Sequence, residues 1–194
     1  MPVKLHSVVH TIGAQEGSHD MFNMDNVDLQ VLRKLQEDGR VTMKALAEEV
    51  GLSSPAMIER VRRLEEREVL QGYRALVNPR AVGRSLTALI NVSLDRADYD
   101  AFLEALREQS AVEECHRVTG DQAFVVKAHV ASTEDLEMLI DELQQVGAKC
   151  STNIVLSTPI ANAAIMPPDG TVTDKSRATR RRRRTRQQRM VEQA

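Results

Sequence analysis

The apolar positions of this chain change period part-way along, and the change divides it into two kinds of domain. From Asp25, the residues Val27, Val31, Leu32 and Leu35 recur at the three- and four-residue spacing of one helix face, with Asp25 placed as N-cap and Gly39 as stop. A second helix is expected from Thr42, turning Leu46, Ala47 and Val50 inward. It ends at Gly51, where only a permissive backbone makes a tight turn cheaply. Ser53 then caps a third helix that tolerates Pro55 in its first turn and buries Met57, Ile58, Val61 and Leu64. After Tyr73 the pattern shortens. Residues 73–77 read as a short strand, broken by Asn78-Pro79. In residues 86–94, Leu86, Ala88, Ile90, Val92 and Leu94 alternate with Thr87, Asn91 and Ser93, which is period two and predicts a strand. A helix near 98–108 turns Phe102, Leu103 and Leu106 inward, and strands near 111–118 and 122–130 flank the turn Thr119-Gly120-Asp121. A helix near 133–145 and a strand near 149–157 complete the order βαββαβ, that of a ferredoxin-like sandwich.

The expected fold class is therefore α+β. A three-helix domain spans 24–72, a linker strand 73–84 and a ferredoxin-like domain 85–158. Residues 1–23 hold no sustained period and read as a disordered leader, and residues 167–194 read as a disordered arginine-rich tail. His6 and His10 have the four-residue spacing of a helical metal pair, but a loose leader is the better reading, and no metal or other cofactor is expected.

Composition excludes several classes. No stretch approaches the roughly 18 apolar residues of a membrane span, so no membrane partner is expected. The first residues lack the charged start, apolar block and cleavage site of a secretory signal. Two cysteines, Cys115 and Cys150, are too few for a disulfide scaffold or a four-cysteine zinc site, which points to a reduced cytoplasm. The formal net charge of −2 conceals an asymmetry: residues 21–80 are neutral, 81–166 carry −7 and 167–194 carry +6. Such a division suggests modules with different tasks.

Residues 42–64 hold the most specific signal. Ala47, four positions before Gly51, is small enough for the next helix to pass close, and Gly51 makes the turn. Val50, Leu52, Met57 and Val61 lock the two helices at a steep angle, the logic of a helix-turn-helix whose second helix enters the DNA major groove. On a helical wheel Pro55, Ala56, Glu59, Arg62 and Arg63 lie opposite the buried stripe, with Arg60 at its border. The small residues Ser54, Pro55 and Ala56 permit close approach to base edges, and the arginines can reach phosphates or guanine. A protein-binding three-helix module with a solvated charged face is the alternative. The expected partner is double-stranded DNA. Cys115 and His116 are adjacent on a strand and point to opposite faces, so they form no joint catalytic or metal site.

Several motifs in order resemble the Lrp/AsnC (feast/famine) transcriptional regulators. They are Asp25-Asn26-Val27-Asp28 with Leu32, Val50-Gly51-Leu52-Ser53, Glu59-Arg60-Val61-Arg62-Arg63-Leu64-Glu65 and Gln71-Gly72-Tyr73. Asn78-Pro79, Glu114-Cys115-His116, Val118-Thr119-Gly120-Asp121 and Ile154-Val155-Leu156 extend the resemblance across residues 24–158. It implies a helix-turn-helix of winged-helix-like type, joined by a strand to a ferredoxin-like domain that pairs into homodimers, which in turn assemble into octamers. It also implies a small-molecule effector, commonly an amino acid, with Gly120, Asp121 and Thr152 matching the sensing positions.

Three positions depart from the family pattern. Ala123 stands before Phe124 where Asp is frequent, Cys150 stands where a threonine is frequent, and Glu68 stands where glycine usually follows the recognition helix. The first two remove acceptors for a polar ligand. The resemblance implies a cytoplasmic, nucleoid-associated regulator with no catalytic residues. The alternatives are an architectural DNA protein with little effector response and, in another class, an enzyme similar to siroheme decarboxylases.

Overall fold

A computed structural model describes residues 24–168, which form two compact units, one of residues 24–74 with 163–168 and the other of residues 75–162. The first unit holds three helices, α1 (Asn26–Glu37), α2 (Met43–Val50) and α3 (Ser54–Glu66). Each begins where a side-chain acceptor meets orphan helix N–H groups. Asp25 Oδ1 accepts from the amides of Val27 (3.0 Å) and Asp28 (2.9 Å), while Asp28 returns a carboxylate oxygen to the Asp25 amide (2.9 Å). Thr42 and Ser53 cap α2 and α3 in the same way.

The ends differ. Gly51 closes α2 at φ 70°, and the Leu52 amide bonds back to the Ala47 carbonyl (2.9 Å). After α3, the Val69 and Glu68 amides bond back to the Leu64 and Glu65 carbonyls (both 2.9 Å), and Glu68 takes φ 56°. A residue with a full side chain thus holds the left-handed position that glycine fills after α2.

Val31, Leu32, Leu35, Leu46, Ala47, Met57, Val61 and Leu64 form one buried cluster. Ile58, expected inside, is 53% exposed. Met57, Val61 and Leu64 already fill the inward stripe, and one residue of helix rotation carries Ile58 to its flank. There it lines an apolar groove of about 440 Å³ with Leu35, Val41, Met43 and Tyr73. The short strand expected at 73–77 and the linker strand at 73–84 are also absent: residues 73–78 are irregular, and Pro79–Val82 form a 3₁₀ turn. Tyr73, Leu76 and Val77 are exposed, and no described strand pairs with them. A ladder needs a partner's N–H and C=O groups, which local alternation cannot supply.

The second unit comprises β1 (Leu86–Ser93), α4 (Tyr99–Glu108), β2 (Val112–Arg117), β3 (Phe124–Val130), α5 (Thr133–Gln145) and β4 (Lys149–Ile154). The sheet order is β2-β3-β1-β4, with every neighbouring pair antiparallel. Ala88, Ile90 and Val92 of β1 and Phe124, Val126, Ala128 and Val130 of β3 point to one face. There they pack with Phe102 and Leu106 of α4 and Leu136, Leu139 and Leu143 of α5. Helices thus cover one side of the sheet. The other side presents Leu89, Asn91, Val125 and Lys127 at its centre.

Candidate functional site

The candidate nucleic-acid interface is built on α3. The buried stripe fixes the rotation of the helix, so Pro55, Ala56, Glu59, Arg62 and Arg63 stand exposed on the far side, with Ser54 half-buried at the start. Arg62 and Arg63 are 53% and 61% exposed. Both lean on Glu59. Arg62 donates two bonds to its carboxylate (3.0 and 2.8 Å), and Arg63 lies 3.7 Å from it. Arg62 also pairs with Glu66. Hydrogen bonding from Arg62 holds the Glu59 carboxyl below its ordinary value. Glu59 and Glu66 therefore steady the arginines when no nucleic acid is present, and phosphates would compete for the same guanidinium donors.

Arg60 behaves differently. Its side chain is only 22% exposed, and Nη1 donates to both carboxylate oxygens of Asp25 (2.9 and 3.0 Å) and to Asp28. Burial pushes the Asp25 carboxyl up, but the amides of Asp28 and Val27 and the Arg60 guanidinium outweigh it and hold it below its ordinary value. This residue, expected at the DNA surface, instead fastens α3 to the N-terminus of α1. The i, i+3 and i+4 pattern that placed Arg60 at the border of the stripe carries no information about Asp25 and Asp28, more than 30 positions away.

Of the residues expected to sense an effector, Gly120 takes φ 107° at the exposed tip of the β2–β3 connection, beside exposed Asp121. The loop is pinned at its base by the Val118 amide on the Ala123 carbonyl (3.1 Å) and the Ala123 amide on the Val92 carbonyl (2.8 Å). The Ser93 hydroxyl lies 2.9 Å from Gln122 Oε1 and 3.3 Å from the Asp121 carbonyl. Thr152 is half-buried opposite Ile90 and shares the helix-covered face of the sheet. Three residues of strand, roughly 10 Å, separate Ile90, opposite Thr152, from Ser93, which bonds to the loop. Cys150 faces the same side one pair nearer the loop, and burial raises its thiol pKa.

Cys115 faces the core, where burial pushes its thiol up to about 11, whereas His116 is exposed and 3.2 Å from Glu114. A bulge places Glu113 on the uncovered face, between Lys127 (2.7 Å) and His129 (2.9 Å). Among the described residues no group of three His, Cys, Asp or Glu side chains could hold a metal ion. The pair His6 and His10 lies outside them. No described helix is long and apolar enough to cross a membrane.

Residues 24–65 match the AsnC-type helix-turn-helix domain, and residues 87–165 match the Lrp/AsnC ligand binding domain. The chain belongs to the Lrp/AsnC family. It is 38% identical over 137 residues to the HTH-type transcriptional regulator LrpA of Mycobacterium tuberculosis, covering 70% of this chain and 91% of that protein. To the leucine-responsive regulatory protein of Escherichia coli it is 36% identical, over 62% of this chain and 75% of that one. The crystal structure of LrpA superposes with a TM-score of 0.64 at 37% identity, covering 74% of this chain and 100% of that one. A Neisseria meningitidis transcriptional regulator in complex with L-methionine gives 0.69 at 26% identity, covering 74% and 97%. The chain is thus a DNA-binding transcriptional regulator, and the enzymatic alternative falls with the names of its relatives.

Proposed function

We propose that the protein binds pseudo-palindromic operators in double-stranded DNA as a homodimer or an assembly up to an octamer, with one α3 helix per half-site. The observation that carries this reading is the division of labour along α3. Met57, Val61 and Leu64 seat the helix and Arg60 fastens it. Small residues and two exposed arginines are left on the opposite side. Pro55 and Ala56 permit close approach in the groove, Ser54 and Glu59 offer acceptors, and Arg62 and Arg63 reach phosphate or guanine. Dimerisation uses the uncovered face of the sheet, where Leu89 sits amid polar neighbours. A sheet clad by helices on one side only is completed by a symmetric partner.

The effector is an amino acid or related small molecule, bound at Gly120 and Asp121 with Thr152. The separation of these positions within one chain supports a site completed by assembly. Structural relatives include complexes with L-methionine, and curated relatives are named as leucine-responsive. With Ala123 and Cys150 in place of polar acceptors, ligand polar groups are left to Asp121, Thr152 and backbone. The protein works in the cytoplasm, on the nucleoid.

Genome-wide footprinting with and without a panel of amino acids, L-methionine and L-leucine first, tests the whole reading. Compact protected sites that shift with one amino acid are expected. Protection without sequence preference would overturn operator recognition. Sharp sites indifferent to every amino acid would remove the effector and leave the architectural alternative.

A further inference from the structure

The exposed side of α3 cancels its own charge. Arg62 and Arg63 are its cations, and Glu59 and Glu66 on the same side pair with them. A duplex presents one phosphate charge per about 1.7 Å of axis, so a carboxylate turned toward it weakens sequence-independent binding. Glu59 is also placed where bases are read. A recognition helix meets base edges with its N-terminal residues. Pro55 and Ala56 are exposed in the first turn but bring no polar group, and Glu59 follows them by four and three positions on the same stripe. It is the first exposed residue of α3 with a polar side chain.

The partners of this carboxylate are both groups that phosphate can take away. Arg62 Nε donates to Oε2 (3.0 Å) and Arg62 Nη2 to Oε1 (2.8 Å), while Arg63 Nε lies 3.7 Å from Oε1. Hydrogen bonding from Arg62 keeps Glu59 ionised, so the side chain can only accept. Once the arginines turn to phosphates, the carboxylate is left in the groove and must find a donor there. The major groove offers two, the N4 amino group of cytosine and the N6 amino group of adenine. Adenine sets the acceptor N7 beside its donor, and guanine and thymine present acceptors alone. Cytosine is the one base whose major-groove edge carries a donor and no acceptor.

We propose that Glu59 reads cytosine: its carboxylate accepts from the N4 amino group of one C·G pair in each half-site, freed for that role as Arg62 and Arg63 move to flanking phosphates. The inference rests on the reading of α3 as the recognition helix. It turns the acid into a specificity device. On a cytosine the carboxylate exchanges one set of donors for another, and both arginines become available to the backbone. On any other base their release would leave an unpaired charge, so they stay on Glu59 and the phosphate contacts are not made.

Selection of bound sequences from a random duplex library, with full-length wild type, Glu59→Ala, Glu59→Gln, Arg62→Ala and Arg63→Ala, tests this. Fluorescence anisotropy follows on the duplex that wild type selects, with each base pair replaced in turn. Wild type should select a C·G pair in each half-site and bind about five- to tenfold more weakly when T·A replaces it. Glu59→Ala should lose discrimination at that pair alone. It should bind random duplex more tightly, with a slope of log K against log salt steeper by about 0.9 for each arginine freed. Glu59→Gln, whose amide both donates and accepts, should prefer A·T at the same pair. Preferences unchanged at every pair in Glu59→Ala would overturn the proposal. So would a loss confined to pairs that Arg62→Ala or Arg63→Ala also loses, which would leave Glu59 a support for its arginines. The α3 reading is judged separately: it fails if none of the four variants alters the selected sequence.

Discussion

Arg60→Ala would leave two carboxylates facing each other with no cation between them. Asp25 and Asp28 side chains are 26% and 12% exposed, so neither charge is fully returned to water. Removing one partner of a fully buried pair costs about 3–5 kcal/mol, and an exposed pair is worth about 0–1. At this intermediate burial we expect a loss of about 2 kcal/mol. A helix-turn-helix domain of this size has a total stability of roughly 2–7 kcal/mol, so the loss removes a large fraction of it. Far-UV circular dichroism of full-length protein should show the helical transition lowered by roughly 8–16 °C. Arg60→Lys, which keeps the charge but replaces the guanidinium with a more strongly hydrated ammonium, should fall between.

The same ion pair sets an acid limit. The Asp25 carboxyl is held below its ordinary value in the folded protein, so its stabilisation is present above that ordinary value and is lost as the pH falls through the lower folded pKa. The variant should therefore lose part of the wild-type dependence of stability below about pH 4. At temperatures where the variant is folded, its salt slope on DNA should equal that of wild type. An unchanged melting transition combined with a slope flattened by about 0.9 would refute the argument and make Arg60 a phosphate ligand after all.

Arg63→Ala should leave the fold intact, because the side chain is exposed. It should weaken DNA binding uniformly if Arg63 holds a phosphate, or relax specificity by about 1–3 kcal/mol if it holds a base; anisotropy on operator and random duplexes distinguishes the two. If the uncovered sheet face is the proposed dimer interface, Leu89→Asp at its centre should give monomers in light scattering where the unchanged protein gives dimers or larger species, and an unchanged mass would move the interface elsewhere. Gly51→Ala should destabilise the first domain by about 1 kcal/mol through its left-handed backbone alone, since an added Cβ meets nothing within 4 Å. Glu68→Gly should act in the opposite sense by a similar or smaller amount, because it relieves the same conformation at φ 56°. Chemical denaturation of the two variants checks both signs.

Most of the architecture was legible because it is written in local periods. Helical spacing from Val27 to Leu64, with Asp25 and Ser53 as caps and Gly51 as the turn, specified three helices through interactions that span four residues or fewer. Alternation specified β1, whose Ala88, Ile90 and Val92 are buried while Leu86 and Leu94 at its ends are half-buried, and even the opposed faces of Cys115 and His116 followed from the pleat. What the tertiary structure decided lies where partners are distant in sequence. Ile58 is apolar and near the stripe, yet exposed, because Met57 and Val61 had already filled the space. Residues 73–77 have the composition of a strand but no partner edge among the described residues to bond. Arg60 shares a helix with Arg62 and Arg63, and only the packing of α1 against α3 sets Asp25 and Asp28 against it and withdraws it from the exposed side that carries the other two. Gln36 and Ile165 carry no motif at all. Their pairing across 129 residues exists only once the chain has folded back on its first domain, because a hydrogen bond depends on where two groups stop in space and not on how far apart they began.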